Sequence, residues 1–190
     1  MDEKVKQAEV YGEKLLELAR NDERVVAIDA DVAIRMGTKY LMKEFPDRHI
    51  DVGIAEQNMI GVAAGLAVSG KIPFAGTIAS FVTGRTYDQI RQSVSYPNAN
   101  VKIVGGYSGI SVGQDGPTHQ ACEDISLMRG LPNMTVLVPA DPLETGQATV
   151  IAYETEGPVY LRLIRHAVPT VLPSDYRMQL GKAGLLREGT

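Results

Sequence analysis

HIDVGIAEQNMIGVAAGLAVSGKIPFAGT, residues His49 to Thr77, holds a strand, a helix and a second strand in one run. His49 to Val52 reads as a short β segment, Met59 to Val68 as an apolar helical stretch that Gly70 ends, and Pro73 to Thr77 as β again. A connection that contains a whole helix returns the chain parallel to the strand it left, since an antiparallel partner needs only a short turn. The same texture continues outward. Val25 to Ile28 precedes the unit, and Val101 to Gly105, Thr135 to Val138 and Val159 to Leu163 follow it, giving six strands. Most are apolar without alternation, the pattern of strands covered by helices on both faces. The expected fold is therefore α/β, three layers (α/β/α) around a six-stranded parallel sheet.

Helix ends are legible as well. Val5 to Ala19 is an amphipathic lead-in, and Gly130 follows the stretch Ile125 to Met128. Asp141-Pro142-Leu143-Glu144 opens the last helix with a capping residue, a proline in the first turn and a glutamate three residues after the cap. After Pro169 the periodicity stops. Pro173, Ser174 and Asp175 mark a linker, and Leu180-Gly181-Lys182-Ala183 begins something that Thr190 cuts off. The reading is one domain over residues 1–170 and a linker over 171–190 toward an absent carboxyl-terminal domain.

Composition narrows the function classes. The 190 residues are 44% hydrophobic and 22% charged with a formal net charge of −4, enough chain to bury roughly 70% of its unfolded surface. The single cysteine, Cys122, excludes an internal disulfide scaffold and favours a reducing compartment. No apolar run approaches the roughly 20 residues of a membrane span, and Met1-Asp2-Glu3-Lys4 lacks the apolar core of a signal peptide. The mild negative charge argues against a nucleic-acid surface. The expected location is the cytoplasm.

Three stretches can carry chemistry. In the first, Glu56 falls in the first turn of a helix at the carboxyl end of a strand, where open α/β sheets place their ligands. Spacing alone also suits a carboxylate that only complements the helix dipole. Gly61 and Gly65 each cost about 1 kcal/mol against alanine inside that helix, so they point to a face on which another backbone packs closely, a candidate interface. The second stretch, Gly105 to Gln120, is a long glycine-rich loop after a strand and holds Asp115 and His119. It matches no nucleotide-binding spacing, so Gly105-Gly106 is weak evidence for phosphate binding. Asp115 can equally shape a turn and His119 cap a helix. A Cys122 and His119 pair fits helical spacing, although a lone helical cysteine is more often packing. The third stretch, Thr77 to Ile90, puts Phe81 at a strand end, where it can stack on a flat ring or pack in the core, and leaves Arg85, Asp88 and Arg91 on an exposed or interfacial face.

Gly53-Ile54-Ala55-Glu56-Gln57, Asp115-Gly116-Pro117-Thr118-His119-Gln120, Leu131-Pro132-Asn133-Met134 and Pro139-Ala140-Asp141 occur in this order. Together they resemble the pyrimidine-binding domain of thiamine-diphosphate enzymes of the transketolase family, over roughly Val5 to Pro169, and look closest to the carboxyl-terminal section of two-subunit transketolases. The resemblance implies transfer of a two-carbon ketol unit between sugar phosphates. It implies that Glu56 hydrogen-bonds N1′ of the cofactor's aminopyrimidine as a partly protonated carboxyl, and that Phe81 packs on the pyrimidine. It further implies that Asp115 and His119 face substrate hydroxyls, that Arg165 grips sugar phosphate and, more weakly, that Asp31 is a cofactor-site acid. Deoxyxylulose-phosphate synthase shares two of the motifs, and a catalytically silent interaction module is the non-enzymatic alternative.

The chain also departs from the pattern. Tyr107 stands where a histidine is common, Lys4, Lys6 and Ala8 where an arginine is expected, Arg35 in place of a serine, and Gly84 in place of an aromatic that Tyr87 could replace. The Gly-Asp-Gly segment and paired asparagines that hold the diphosphate through magnesium do not occur in the chain. The resemblance therefore implies a pyrophosphate-binding partner subunit that carries the magnesium and shares the thiamine diphosphate. The expected assembly is a homodimer or heterotetramer, with the isolated chain inactive.

Overall fold

A computed structural model describes residues 4–189; the charged start Met1 to Glu3 and the terminal Thr190 lie outside the described residues. In chain order the elements are β1 (Lys4–Lys6), α1 (Gln7–Asn21), β2 (Val25–Asp29), α2 (Ala33–Met36), α3 (Lys39–Glu44), β3 (His49–Asp51), α4 (Glu56–Val68) and β4 (Ile72–Ile78). There follow α5 (Tyr87–Gln89), flanked by the π-helical segments Phe81–Arg85 and Ile90–Ser95, then β5 (Lys102–Gly106), α6 (Asp124–Arg129), β6 (Thr135–Leu137), α7 (Pro142–Glu154), β7 (Val159–Arg162) and β8 (Ala167–Pro169). Six strands form one parallel sheet in the order β3-β2-β4-β5-β7-β6. Each expected strand is present, with ends shifted by at most one residue.

The sheet is buried from both sides, as continuous apolar strands require. Every residue of β2, β4 and β5 is buried. One face packs Phe74, Val104 and Leu161 against Tyr11 and Leu15 of α1 and Ala148 and Ala152 of α7. The other packs Ile28, Ile103 and Tyr160 against Met59 and Ile60 of α4, Val94 and Met128. Fully burying a side chain such as Phe74 stabilises by about 1.5–3 kcal/mol, and truncating it to alanine costs about 3–5 kcal/mol once the cavity is counted.

Two pairs of glycines let backbones and side chains meet at the edge of the site. A Cβ on Gly12 of α1 would lie 2.0 Å from the Gly37 carbonyl oxygen, so α1 clamps the α2 turn that forms one wall of the site. A Cβ on Gly105 would lie 2.3 Å from Tyr160 Oη, and one on Gly106 2.4 Å from Met36 Sδ. The Gly105-Gly106 pair therefore serves packing inside β5, which accounts for it without a phosphate.

The Asp141 signal forms as read and does more. Its Oδ1 accepts the Glu144 amide at 2.8 Å while Oδ2 accepts the amides of Val171 and Leu172, both at 2.9 Å. Glu144 Oε2 reaches back to the Ala140 amide at 2.7 Å, and Tyr176 Oη donates to its other oxygen at 2.8 Å. Gln147 accepts the Met178 amide at 2.6 Å. The stretch expected as a linker is thus fastened along α7 as far as Met178, and Gln179 to Gly189 carry no helix or strand.

Other expectations need correction. The helix expected from Val5 starts at Gln7, because Lys4–Lys6 pair antiparallel with Ala167–Pro169 in a two-stranded ribbon that joins the two ends of the domain. Among the described residues nothing lies within 4 Å of a Cβ built on Gly61 or Gly65, which leaves that face of α4 open for the interface that the two glycines suggest. No helix of the described residues is long and apolar enough to cross a membrane.

Candidate functional site

The carboxyl ends of β2, β3 and β4 open onto a cavity of about 650 Å³ whose lining includes Asp31, Arg35, Asp51, Glu56, Phe81 and His119. Parallel strands end together on one side, so side chains distant in sequence converge there. Asp51, at the end of β3, ties two of these ends: its Oδ1 accepts the Gly53 amide at 2.8 Å and the Asp31 amide at 3.0 Å. Asp31 itself holds a left-handed φ of 60°, and Gly53, at φ 71°, turns the chain into α4. Below them the buried Asp29 carboxylate accepts from Thr38 Oγ1 at 2.5 Å and pairs with His49 Nε2 at 2.6 Å, which fixes the α2 wall to the sheet.

Glu56 is the first residue of α4 and is 6% exposed. A carboxylate in the first turn lies where the helix dipole favours negative charge. Among the described residues its side chain has one hydrogen-bond partner, Arg85 Nη1, at 2.9 Å from Oε1. The Arg85 guanidinium lies 3.7 Å from the centroid of the Phe81 ring, and that ring meets His119 edge to face at 4.9 Å and 65°. The widened turns Phe81–Arg85 and Ile90–Ser95 build this arrangement, steadied by Thr83 Oγ1 donating to the Ala79 carbonyl at 2.7 Å and Thr86 Oγ1 to that of Val82 at 2.5 Å. Such π-turns are rare and frequent at functional sites.

A second group stands on the glycine-rich loop. Arg165 Nη1 pairs with Asp115 Oδ2 at 2.8 Å and also donates to the Val112 carbonyl, while its guanidinium lies 5.0 Å from the Tyr107 ring. Tyr107 has a φ of 56°. The loop is closed at its base by a bridge between Gly109 and Ala121 and by Ser108, whose amide and Oγ both donate to the Leu163 carbonyl. Beneath it the buried Asp124 accepts Tyr160 Oη at 2.8 Å and Arg162 Nε at 2.7 Å. Burial, then Asp124, pushes the Tyr160 phenol well above its ordinary range, so it stays a donor.

Of the residues singled out from sequence, Asp31, Glu56, Phe81 and His119 share the cavity; Asp115 and Arg165 pair with each other and are not in its lining. Arg35 lines the cavity and makes no ion pair among the described residues. Tyr87 packs against the core on the α4 side of the sheet and does not line the cavity, so it does not replace the aromatic missing at Gly84. His119 and Cys122 lie outside any helix, since α6 begins at Asp124, so helical spacing does not pair them and His119 caps nothing. Sequence reasoning passes over Asp51 and leaves Arg85 on an outer face. The four-residue step from Phe81 to Arg85 is the signal that could have found the latter.

The family model described as the transketolase pyrimidine-binding domain matches residues 3–170. A 6-deoxy-6-sulfo-D-fructose transketolase subunit of Clostridium sp. (strain MSTE9) is 45% identical over 181 residues, covering 95% of this chain and 56% of that protein. An apulose-4-phosphate transketolase subunit from Actinobacillus succinogenes is 37% identical over 182 residues, 96% of this chain and 58% of the other. Among solved structures, a split-gene transketolase described as an inactive beta4 tetramer superposes with a TM-score of 0.86 at 45% identity, covering 98% of this chain and 60% of that one. The chain thus spans a little over half the length of these relatives.

Proposed function

The chain belongs to the transketolase family as a pyrimidine-binding domain, and from that premise we propose that it is the pyrimidine half of a two-subunit enzyme that moves a two-carbon ketol unit between sugar phosphates. The family depends on thiamine diphosphate, and the donor set here fits that group. A buried carboxylate and an aromatic face border one cavity of a size suited to a small molecule. That convergence of Glu56, Phe81 and His119 carries the reading.

The chemistry drawn from thiamine diphosphate, when bound, is a nucleophilic carbon centre. This chain's residues bind and orient. Glu56 holds a proton at the N1′ nitrogen of the aminopyrimidine, Phe81 offers a stacking face, and Asp31 closes the wall beside them. His119 hydrogen-bonds substrate hydroxyls and Asp115 joins it from the loop. Arg165 and Arg35 take the anionic end of the sugar, Arg35 through a planar fork suited to a bidentate grip. The two named relatives act on ketoses that carry a sulfonate or a phosphate, which suits a cavity with arginine at its rim. The pyrophosphate half and its magnesium belong to a partner subunit. The assembly is a homodimer or heterotetramer in the cytoplasm, and the isolated chain is inactive.

The test is ketol transfer from xylulose phosphate to ribose phosphate by the full-length subunit assembled with its pyrophosphate-binding partner, supplied with thiamine diphosphate and magnesium. Transfer that Glu56→Gln removes supports the reading. A folded, cofactor-loaded complex that instead condenses pyruvate with glyceraldehyde phosphate would assign it to deoxyxylulose-phosphate synthesis, and one with neither activity to a silent module.

A further inference from the structure

Ile54 and Glu56 line two hollows at once. The inner one is the cavity lined by Phe81 and His119; the outer one, a separate hollow of about 450 Å³, is lined also by Ala55, Gln57, Asn58 and Arg85. Arg85 borders the outer hollow and not the inner cavity, although it touches both Glu56 and Phe81. Three tethers hold it. Gln57 Nε2 donates to its carbonyl at 2.9 Å, its Nη1 donates to Glu56 Oε1 at 2.9 Å, and its guanidinium lies 3.7 Å from the Phe81 centroid.

This is not an ordinary surface ion pair. Exposed pairs contribute little because water solvates both partners equally well, whereas here the acid side chain is 6% exposed and the cation 51%. The buried partner has this one bond, and the exposed partner reaches inward to make it. One carboxylate oxygen is thereby committed, and Oε2, which makes no hydrogen bond among the described residues, is the one left for a ligand. The same guanidinium covers one face of Phe81 and so ties the acid and the ring into a single unit.

We propose that Arg85 is a positioning residue that acts from outside the cavity: by taking Glu56 Oε1 and one face of Phe81 it sets the orientation of the carboxylate and ring that receive the aminopyrimidine. The role rests on the cofactor reading above. The four-residue step from Phe81 to Arg85 puts both on one side of their helical segment, which is where the guanidinium meets the ring.

The experiment uses the full-length subunit assembled with its partner, as wild type, Arg85→Ala, Arg85→Lys and Glu56→Gln. Calorimetric titration with thiamine diphosphate and magnesium gives affinity, and ketol transfer gives kcat and KM. Arg85→Ala is expected to weaken cofactor binding and lower kcat by about tenfold each, the order of one charge-assisted hydrogen bond, with sugar-phosphate KM unchanged. Arg85→Lys should recover part of the loss. Added methylguanidine should restore kcat to Arg85→Ala but not to Glu56→Gln, a response that a merely structural side chain would not produce. Equal or tighter cofactor binding by Arg85→Ala would overturn the proposal, tighter binding meaning that the guanidinium stands in the ring's own place. A wild-type complex that binds no thiamine diphosphate would instead fell the cofactor reading itself, and this inference with it.

Discussion

Two buried charges lie toward opposite ends of the sheet, and the chain treats them differently. Lys102, at the amino end of β5, is fully buried, and its Nζ donates to Asn100 Oδ1 at 2.5 Å, the Thr155 carbonyl at 2.5 Å and the Gly157 carbonyl at 2.9 Å. Three acceptors meet three ammonium protons, so its capacity is used within the chain. Glu56, beyond the carboxyl end of β3, is nearly as buried but has one half-exposed partner and a free oxygen beside a cavity. A buried charge fully engaged by its own chain holds the fold, whereas one left partly unengaged at a cavity is set up for a ligand.

That contrast breaks most visibly in paired variants. Glu56→Gln in the assembled enzyme is expected to lower kcat by roughly 10²- to 10⁴-fold, the usual worth of a positioned acid or base, while thermal melting of the isolated domain stays within about a degree or two. Lys102→Met should do the reverse. It leaves three acceptors without a donor at the bottom of the sheet and is expected to cost about 2 kcal/mol in urea denaturation, with turnover of the assembled complex unchanged. A Glu56→Gln domain that melts early, or a folded Lys102→Met complex without activity, would show that the two charges are not divided in this way.

The Asp115 and Arg165 pair sharpens the comparison because it is neither buried nor free. Its side chains are 32% and 24% exposed, so the pair contributes at most about 1 kcal/mol to stability. Asp115→Asn is expected to leave the urea midpoint unchanged and to raise KM for the sugar phosphate about tenfold, the loss of one charged hydrogen bond to substrate. An effect on kcat alone would place Asp115 in the chemical step rather than in substrate binding.

These three groups are not equally legible in the sequence. Strands buried on both faces announce themselves as unbroken apolar runs, and the Asp141-Pro142 start declares itself because capping is local. The ribbon of Lys4–Lys6 with Ala167–Pro169 leaves no trace, since three residues carry no period and their partner lies at the other end of the domain. Glu56, Phe81 and His119 can be picked out as polar or aromatic residues at strand ends, but their meeting in one cavity needs the sheet order. Arg85 is hidden by its own composition: a charged residue among polar neighbours reads as solvated surface, and only its four-residue step from Phe81 hints that it lies over the ring. Asp115 and Arg165 lie fifty residues apart and meet because β5 and β7 are neighbours in the sheet. Gly61 and Gly65 are the reverse case: the sequence marks a face for close approach, and among the described residues that face is open, as an interface with another subunit would leave it.

The last expected effect is a slope, and it isolates Lys102 from the other shifted groups. Burial pushes its ammonium down from 10.5 to about 8, so between those values the unfolded chain binds a proton that the folded chain has released. Stability therefore rises with pH across that window, by up to about 1.4 kcal/mol per unit for one proton, and the gain is lost as pH falls through 8. Other shifted groups act elsewhere. Burial raises Tyr11 and Tyr160 well above 10.0, so the folded chain keeps protons that the unfolded chain releases, and their contribution falls away only as pH rises past the ordinary tyrosine value. Glu9 and Asp22, lowered in the folded domain, have reached their plateau well below neutrality. Urea titrations from about pH 8 to about 9.5 thus read Lys102 with little interference, because that range lies inside its window and below the tyrosines'. Stability should climb through that range in the wild type and stay flat in Lys102→Met, and a wild-type profile as flat as the variant's would mean that the three acceptors compensate fully for burial, leaving the ammonium no more costly inside the sheet than in water.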